Sequence, residues 1–251
     1  MNLNGKVALI TGGATGIGFG TAKVLAECGA RVVIGQRNLQ QANDAARGLG
    51  GEAVEIDIRE CSSVERAVAS VVQRLGGIDV LVNNASVTGR KALEPLLSCS
   101  AEGIDLIVDT NLKGTVYCSQ AVARHMVETR RSGSIIHITS VGAYAAQEFA
   151  SLYCATKAAQ VSLAQTMALE WAQYGIRVNC VAPGDIRTET SKHAVQEIHD
   201  AGATGKYIRA TPLGRRGTPE EVGRAVAFLA SDDASFVTGT TLLVDGGFIA
   251  Y

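Results

Sequence analysis

Proline is scarce in this chain, at 4 of 251 residues, and aromatic residues make up only 5 %. With 47 % hydrophobic content, such a composition excludes a proline-rich or disordered chain. Neither charge is in excess: 23 Lys plus Arg stand against 24 Asp plus Glu, a formal net charge of −1. Without a basic block, neither nucleic acid nor an anionic membrane is expected as the main partner. Long apolar runs are missing too, and nothing approaches the ~18 residues of a transmembrane helix. The first apolar stretch, Val7 to Ile10, is too short for a signal-peptide core. The six cysteines (Cys28, Cys61, Cys99, Cys118, Cys154, Cys180) form no C-x-x-C pair and read as reduced thiols. The four histidines (His125, His137, His193, His199) show no metal-ligand spacing, so no metal is expected. Together these absences predict a soluble, cytoplasmic chain.

Glycine, by contrast, is abundant, with 28 residues, against a usual share of ~7 %. Such an excess suits tight strand–helix turns and backbone close to a ligand. Short β-rich runs alternate with helical patterns from end to end. Strands are predicted at Val7–Thr11, Arg31–Gly35, Ala53–Ile56, Val80–Val82, Ser134–Thr139, Arg177–Val181 and Thr241–Val244. Their continuous apolar character suits strands buried on both faces of a parallel sheet. Helices are predicted at Ile17–Cys28, Ser62–Leu75, Leu112–Thr129, Leu152–Tyr174 and Glu220–Ala230, the last with Thr218 as its cap before Pro219. This order predicts an α/β chain: one doubly wound domain over residues 1–251, with about seven parallel strands and helices on both faces. Asp185 to Gly217 breaks the rhythm and is predicted to be a substrate lid.

Three features carry chemistry. Thr11-Gly12-Gly13-Ala14-Thr15-Gly16-Ile17-Gly18 follows the first strand and opens a helix. Glycine here lets backbone N–H groups approach a pyrophosphate at the positive helix end. There is no G-K-[ST] sequence, which argues against a nucleotide triphosphatase. Tyr153 and Lys157 lie four residues apart on a predicted helix, hence on one face. A neighbouring ammonium favours the phenolate and lowers the phenol pKa. Ser140 sits at the C-terminal end of the fifth strand, where ligands bind in open α/β sheets. Singly, Ser140 and Tyr153 also fit an ordinary strand-end serine and a half-buried tyrosine; together they suggest a hydroxyl donor and a tuned phenol on one substrate oxygen. No G-x-S-x-G elbow surrounds Ser140, so a serine hydrolase is not supported. Cys154 has no evident base and reads as packing.

With Asn83-Asn84-Ala85, Asn111, Pro183-Gly184 and the late Asp245-Gly246-Gly247, these motifs make the chain resemble the short-chain dehydrogenase/reductase family over nearly its whole length. The resemblance implies a Rossmann-type fold and an NAD(P)-dependent oxidoreductase. Ser140 would polarise the carbonyl or alcohol, and Tyr153 would be the general acid/base. Lys157 would lower the Tyr153 pKa and bind the nicotinamide ribose, while Asn111 would support a relay water through its local backbone. Gly12, Gly16, Ile17 and Gly18 would cover the pyrophosphate, with Thr15 among them in the cofactor set. Asp57 and Ile58 would cover the adenine, Asn83 and Ala85 the adenosine ribose. Ile186 and Thr188, after Pro183 and Gly184, would hold the carboxamide. Ser86 and Asp185 depart from the family pattern; the first would tighten its loop, the second would make the substrate roof more polar.

The cofactor is expected to be NADP, with NAD as the alternative. An NAD site places a carboxylate at the end of the second strand. Here the chain reads Ile34-Gly35-Gln36-Arg37-Asn38, with Arg37 suited to a phosphate. The resemblance implies a small ketone or secondary alcohol as substrate, as in a carbonyl reductase or alcohol dehydrogenase. Glu148, Glu189, His193 and Tyr207 are candidate specificity residues, and two acids would favour a cationic substrate. The alternative to an enzyme is a dinucleotide-binding sensor without turnover. A homotetramer is implied by the resemblance, with the two apolar helices and Phe248 to Tyr251 as interface candidates.

Overall fold

The computed structural model describes residues 1–191 and 211–250, apart from the side chains of Arg90 and Thr190. Seven strands form one parallel sheet: β1 Val7–Thr11, β2 Arg31–Gln36, β3 Glu52–Glu55, β4 Val80–Asn83, β5 Gly133–Ile138, β6 Ile176–Pro183 and β7 Thr241–Val244. Their order is β3-β2-β1-β4-β5-β6-β7, so the winding reverses between β1 and β4. That reversal opens a crevice at the carboxyl ends of the strands, the usual ligand position of such a sheet. Strands β1 and β4 are buried throughout, which explains their unbroken Val/Leu/Ile character.

The helices are α1 Gly16–Glu27, α2 Leu39–Arg47, α3 Cys61–Leu75, α4 Ala101–Val108, α5 Gly114–Glu128, α6 Ser151–Trp171 and α7 Pro219–Ala230. One face of the sheet packs Leu25 of α1 and Val222 and Val226 of α7 on Ile10 and Ile34. The other packs Val68 of α3, Met126 of α5 and Ala164 of α6 on Leu9 and Ile135. The predicted α/β doubly wound sheet is therefore the observed one. Helices α2 and α4 were not among the predicted segments. Each begins at a polar cap: Asn38 Oδ1 accepts from Gln41 N at 3.0 Å, and Ser100 Oγ from Gly103 N at 3.0 Å.

Between α4 and α5 the chain makes a π-helical turn, Asp109–Lys113, that contains Asn111. After β6, the two ends of the predicted lid are joined. Arg187 N donates to Gly217 O and Gly217 N to Asp185 O, both at 2.9 Å. Arg216 closes the same junction with an ion pair to Asp185 at 2.8 Å and a bond to Ile186 O at 3.1 Å. The predicted lid itself falls mainly on residues 192–210, outside the described residues.

Candidate active site

The glycine-rich turn is close-packed. Gly12 and Gly16 have φ of +64° and +53°, a region that favours glycine. A Cβ at Gly18 would lie 2.3 Å from Gly12 O and 2.4 Å from Asn84 Nδ2, so no side chain fits. Asn84 fastens this turn to the end of β4, donating to Thr11 O and Gly12 O, both at 3.0 Å. Thr15 precedes α1 without a side-chain cap, and the first turn carries no acid. The leading N–H groups and the positive helix end are left for an anion, which fits the pyrophosphate of a dinucleotide. Thr188, arriving after β6, would touch a Cβ at Gly16 at 3.5 Å. Ile186 is buried in the core beside Gly217, and Gly184 closes on β7 through its N–H to Val244 O at 3.0 Å.

At the end of β5, Ser140 is buried and its Oγ accepts from Gly142 N at 3.0 Å. Burial pushes the Tyr153 phenol above its usual range, and the nearby Ser140 hydroxyl offsets the shift in part. Lys157 is buried beneath, with Nζ donating to Ile138 O at 2.8 Å and lying 5.6 Å from the Tyr153 ring centroid. Burial also holds the Lys157 ammonium down to about 7. Burial opposes both charged forms, and the lysine's proton is turned toward a backbone carbonyl.

Asn111 is wholly buried, and its side chain ties the Ser86–Val87 loop to α6. Its Oδ1 accepts from Val87 N at 2.7 Å and Ser86 Oγ at 3.0 Å, and its Nδ2 donates to Thr156 Oγ1 at 3.3 Å. Ser86 does tighten its loop, as expected. The Asn111 carbonyl accepts from Thr115 Oγ1 at 2.8 Å and from Gln160 Nε2 at 2.7 Å. A carbonyl oxygen has two lone pairs, and both are taken. Gln160, absent from the sequence-based candidates, lies three residues beyond Lys157 on the same helix face. That spacing is the one signal that could have found it.

Asn83 turns into the core, donating to Ser119 Oγ at 2.9 Å, while Ala85 N donates to Thr11 Oγ1 at 3.2 Å. Asp57 pairs with Arg59 at 2.7 Å, and this bond, foremost, holds its carboxyl below the usual range. Ile58 is buried, and a Cβ on Gly114 would meet its side chain at 2.7 Å. Arg37 is exposed after β2, and its charge also lowers Asp57. Gln36 donates to Gln41 Oε1 at 3.1 Å, so no carboxylate stands at the end of β2. Asp185 is paired with Arg216. Glu148 is half-buried and Glu189 exposed, whereas His193 and Tyr207 lie outside the described residues. Among the described residues no group of three or more His, Cys, Asp or Glu could hold a metal ion.

A family model described as enoyl-(acyl carrier protein) reductase matches residues 12–249. The chain belongs to the short-chain dehydrogenase/reductase family. It is 35 % identical to the galactitol 2-dehydrogenase of Agrobacterium fabrum, over 98 % of each chain. It is 38 % identical to the 3-oxoacyl-acyl-carrier-protein reductase of Thermotoga maritima, over 99 % of this chain and all of that one. Among solved structures, a gluconate 5-dehydrogenase from Burkholderia cenocepacia, in complex with NADP and tartrate, superposes with a TM-score of 0.90 at 38 % identity. That alignment covers 100 % of this chain and 97 % of the other. The short-chain dehydrogenase/reductase fold thus accounts for the whole described sheet, and no described helix is long and apolar enough to cross a membrane.

Proposed function

We propose that this oxidoreductase moves a hydride between a nicotinamide cofactor, NADP in preference to NAD, and a ketone or secondary alcohol. The observation that carries this reading is the meeting of Ser140, Tyr153 and Lys157 at the end of β5, beside an uncapped α1. The cofactor supplies the hydride; the protein positions it and moves the proton. Ser140 and Tyr153 hold the substrate oxygen, and Tyr153 gives its hydroxyl proton to that oxygen in reduction and takes it back in oxidation. Lys157 sits against the ring and binds the ribose hydroxyls. Gly12, Thr15, Gly16, Ile17 and Gly18 hold the pyrophosphate, with Thr188 above them. Arg37, facing no carboxylate at the end of β2, receives a 2′-phosphate.

Relatives named for galactitol, sorbitol and gluconate favour a sugar, polyol or sugar acid as substrate. We place the enzyme in the cytoplasm as a homotetramer. A sensor without turnover would need no serine, tyrosine and lysine gathered at one point. A ketone and alcohol panel with both cofactors tests the reading. Tyr153→Phe is expected to keep the fold and cofactor binding yet lose ~10²-fold or more in kcat, the scale of removing a general acid/base. Arg37→Ala is expected to lose a preference for NADPH of roughly 10- to 150-fold, the worth of one charge-assisted contact. Cofactor binding without turnover on any member would favour the sensor, and a wild type preferring NADH would remove the Arg37 assignment.

A further inference from the structure

Arg216 commits four of its five N–H donors to one short stretch of chain. Nε donates to Asp185 Oδ1 at 2.9 Å, Nη2 to Ile186 O at 3.1 Å and to Ser191 Oγ at 2.8 Å, and Nη1 to Ser191 O at 3.3 Å. Ser191 is tied back to Thr188 in turn: its Oγ accepts from Thr188 N at 2.9 Å, and its N donates to Thr188 Oγ1 at 3.2 Å. A hydroxyl oxygen has two acceptor positions, and the Arg216 and Thr188 N–H groups fill both. The Ser191 proton is thereby directed to Ile186 O, 2.9 Å away. Among the described residues, Arg216 alone bonds Ser191 from outside this stretch. The backbone bonds from Arg187 to Gly217 and from Gly217 to Asp185 hold only its beginning.

What the stretch carries is Thr188, whose Cγ2 lies 3.5 Å from a Cβ built at Gly16, the first residue of α1. We infer that Arg216 is a positioning residue for the dinucleotide: through Ser191 it holds Thr188 over the glycine-rich turn, so that the phosphate end of the site is covered before the cofactor arrives. The inference rests on the proposed oxidoreductase reading. Asp185 balances the guanidinium charge at 2.8 Å, so Arg216 acts by geometry and not as a free cation for phosphate. A segment already in place adds no ordering cost to binding. If losing Arg216 leaves it in place about a tenth of the time, the apparent Kd rises about tenfold.

Two ligands separate this role from a general loss of stability. NADPH spans the whole site, whereas adenosine 2′-phosphate has neither pyrophosphate nor nicotinamide and ends short of Thr188. Arg216→Met keeps an unbranched apolar stem and removes every donor. In fluorescence titration it is expected to bind NADPH about tenfold more weakly, with adenosine 2′-phosphate, read by displacement, within about twofold of wild type. Arg216→Lys keeps the charge without the fork, and is expected to stay at least about threefold weaker for NADPH. In the cofactor-free chain, amide exchange at Thr188 is expected to quicken about tenfold in Arg216→Met, because Ser191 loses its anchor. If Arg216→Met fails to fold, Ser191→Ala decides, with the same split between the ligands expected at about threefold or more. Wild-type NADPH affinity, an equal loss for both ligands, or a loss confined to melting temperature would each overturn the inference. Full recovery in Arg216→Lys would do so too, since it would make Arg216 a point charge on the phosphates. A wild type that binds neither NADPH nor NADH would instead defeat the oxidoreductase reading, and the exchange measurement would still judge Arg216.

Discussion

His137 stands wholly inside the sheet, on β5, between Ser119 Oγ at 3.3 Å and the Gln160 carbonyl at 3.4 Å. Burial holds its imidazole at about 4, against an ordinary 6.5. The unfolded chain takes up this proton near pH 6.5, whereas the folded chain refuses it until about pH 4. Stability is therefore fully present above pH 6.5 and is lost as pH falls through that window. Lys157 obeys the same sign higher up: held at about 7 against 10.5, it adds stability as pH rises between those values. Between pH 6.5 and 5, before most carboxylates titrate, the His137 contribution is about 2 kcal/mol. Urea unfolding at those two pH values is expected to show that loss in wild type and little of it in His137→Gln. An equal loss in the variant would clear His137 of the effect.

Helix α7 packs against α1 through two glycines. A Cβ at Gly20 would lie 2.3 Å from Pro219 Cβ, and one at Gly223 would lie 2.9 Å from Gly20 O. Such an approach needs α7 to begin at one fixed residue, and a capping box sets it. Thr218 Oγ1 accepts from Glu221 N at 3.4 Å, and Glu221 Oε2 accepts from Thr218 N at 2.8 Å. Arg215, first, and then the Thr218 backbone hold the Glu221 carboxyl at about 2. Thr218→Ala is expected to cost about 1 kcal/mol, seen as a melting temperature lower by roughly 2–4 °C; an unchanged melting point would show that the cap does not govern α7. This cap was legible in the sequence because Thr, Pro and Glu stand at fixed short offsets. Strands were legible to within one or two residues because both faces of a parallel sheet leave a continuous apolar run. Helix α4, of eight residues, and the π turn at Asn111 left no such signature. Ser140, Tyr153 and Lys157 were readable from local spacing. The grip of Asn84 on Gly12, of Gln160 on Asn111 and of Arg216 on Asp185 spans 72, 49 and 31 residues, and no local pattern encodes such pairs.

The two edges of the sheet are finished differently. At β3, Glu52 is flanked by Arg31 at 3.4 Å and by Arg74, a charged fence that discourages pairing with another chain. At β7 the outward positions are Leu242 and Leu243, both exposed, and Phe236 nearby is fully exposed. Leu169 of α6, one of the two helices expected at an interface, is 82 % exposed, whereas α5 shows no large exposed apolar side chain. Two copies related by a two-fold axis would bring β7 against β7 and cover these leucines on both sides at once. A stable contact of this kind needs ~800 Å² per partner, more than four side chains supply, so α6 and the C-terminal Phe248 and Ile249 must share it. The expected outcome in light scattering at micromolar concentration is a particle near four times the 26.1 kDa chain. Leu243→Lys, which brings a charge to each side of that two-fold, is expected to halve its size or more while leaving the monomer folded. A wild-type particle of 26.1 kDa would contradict the tetramer. A tetramer indifferent to Leu243→Lys would place its interfaces away from the β7 edge.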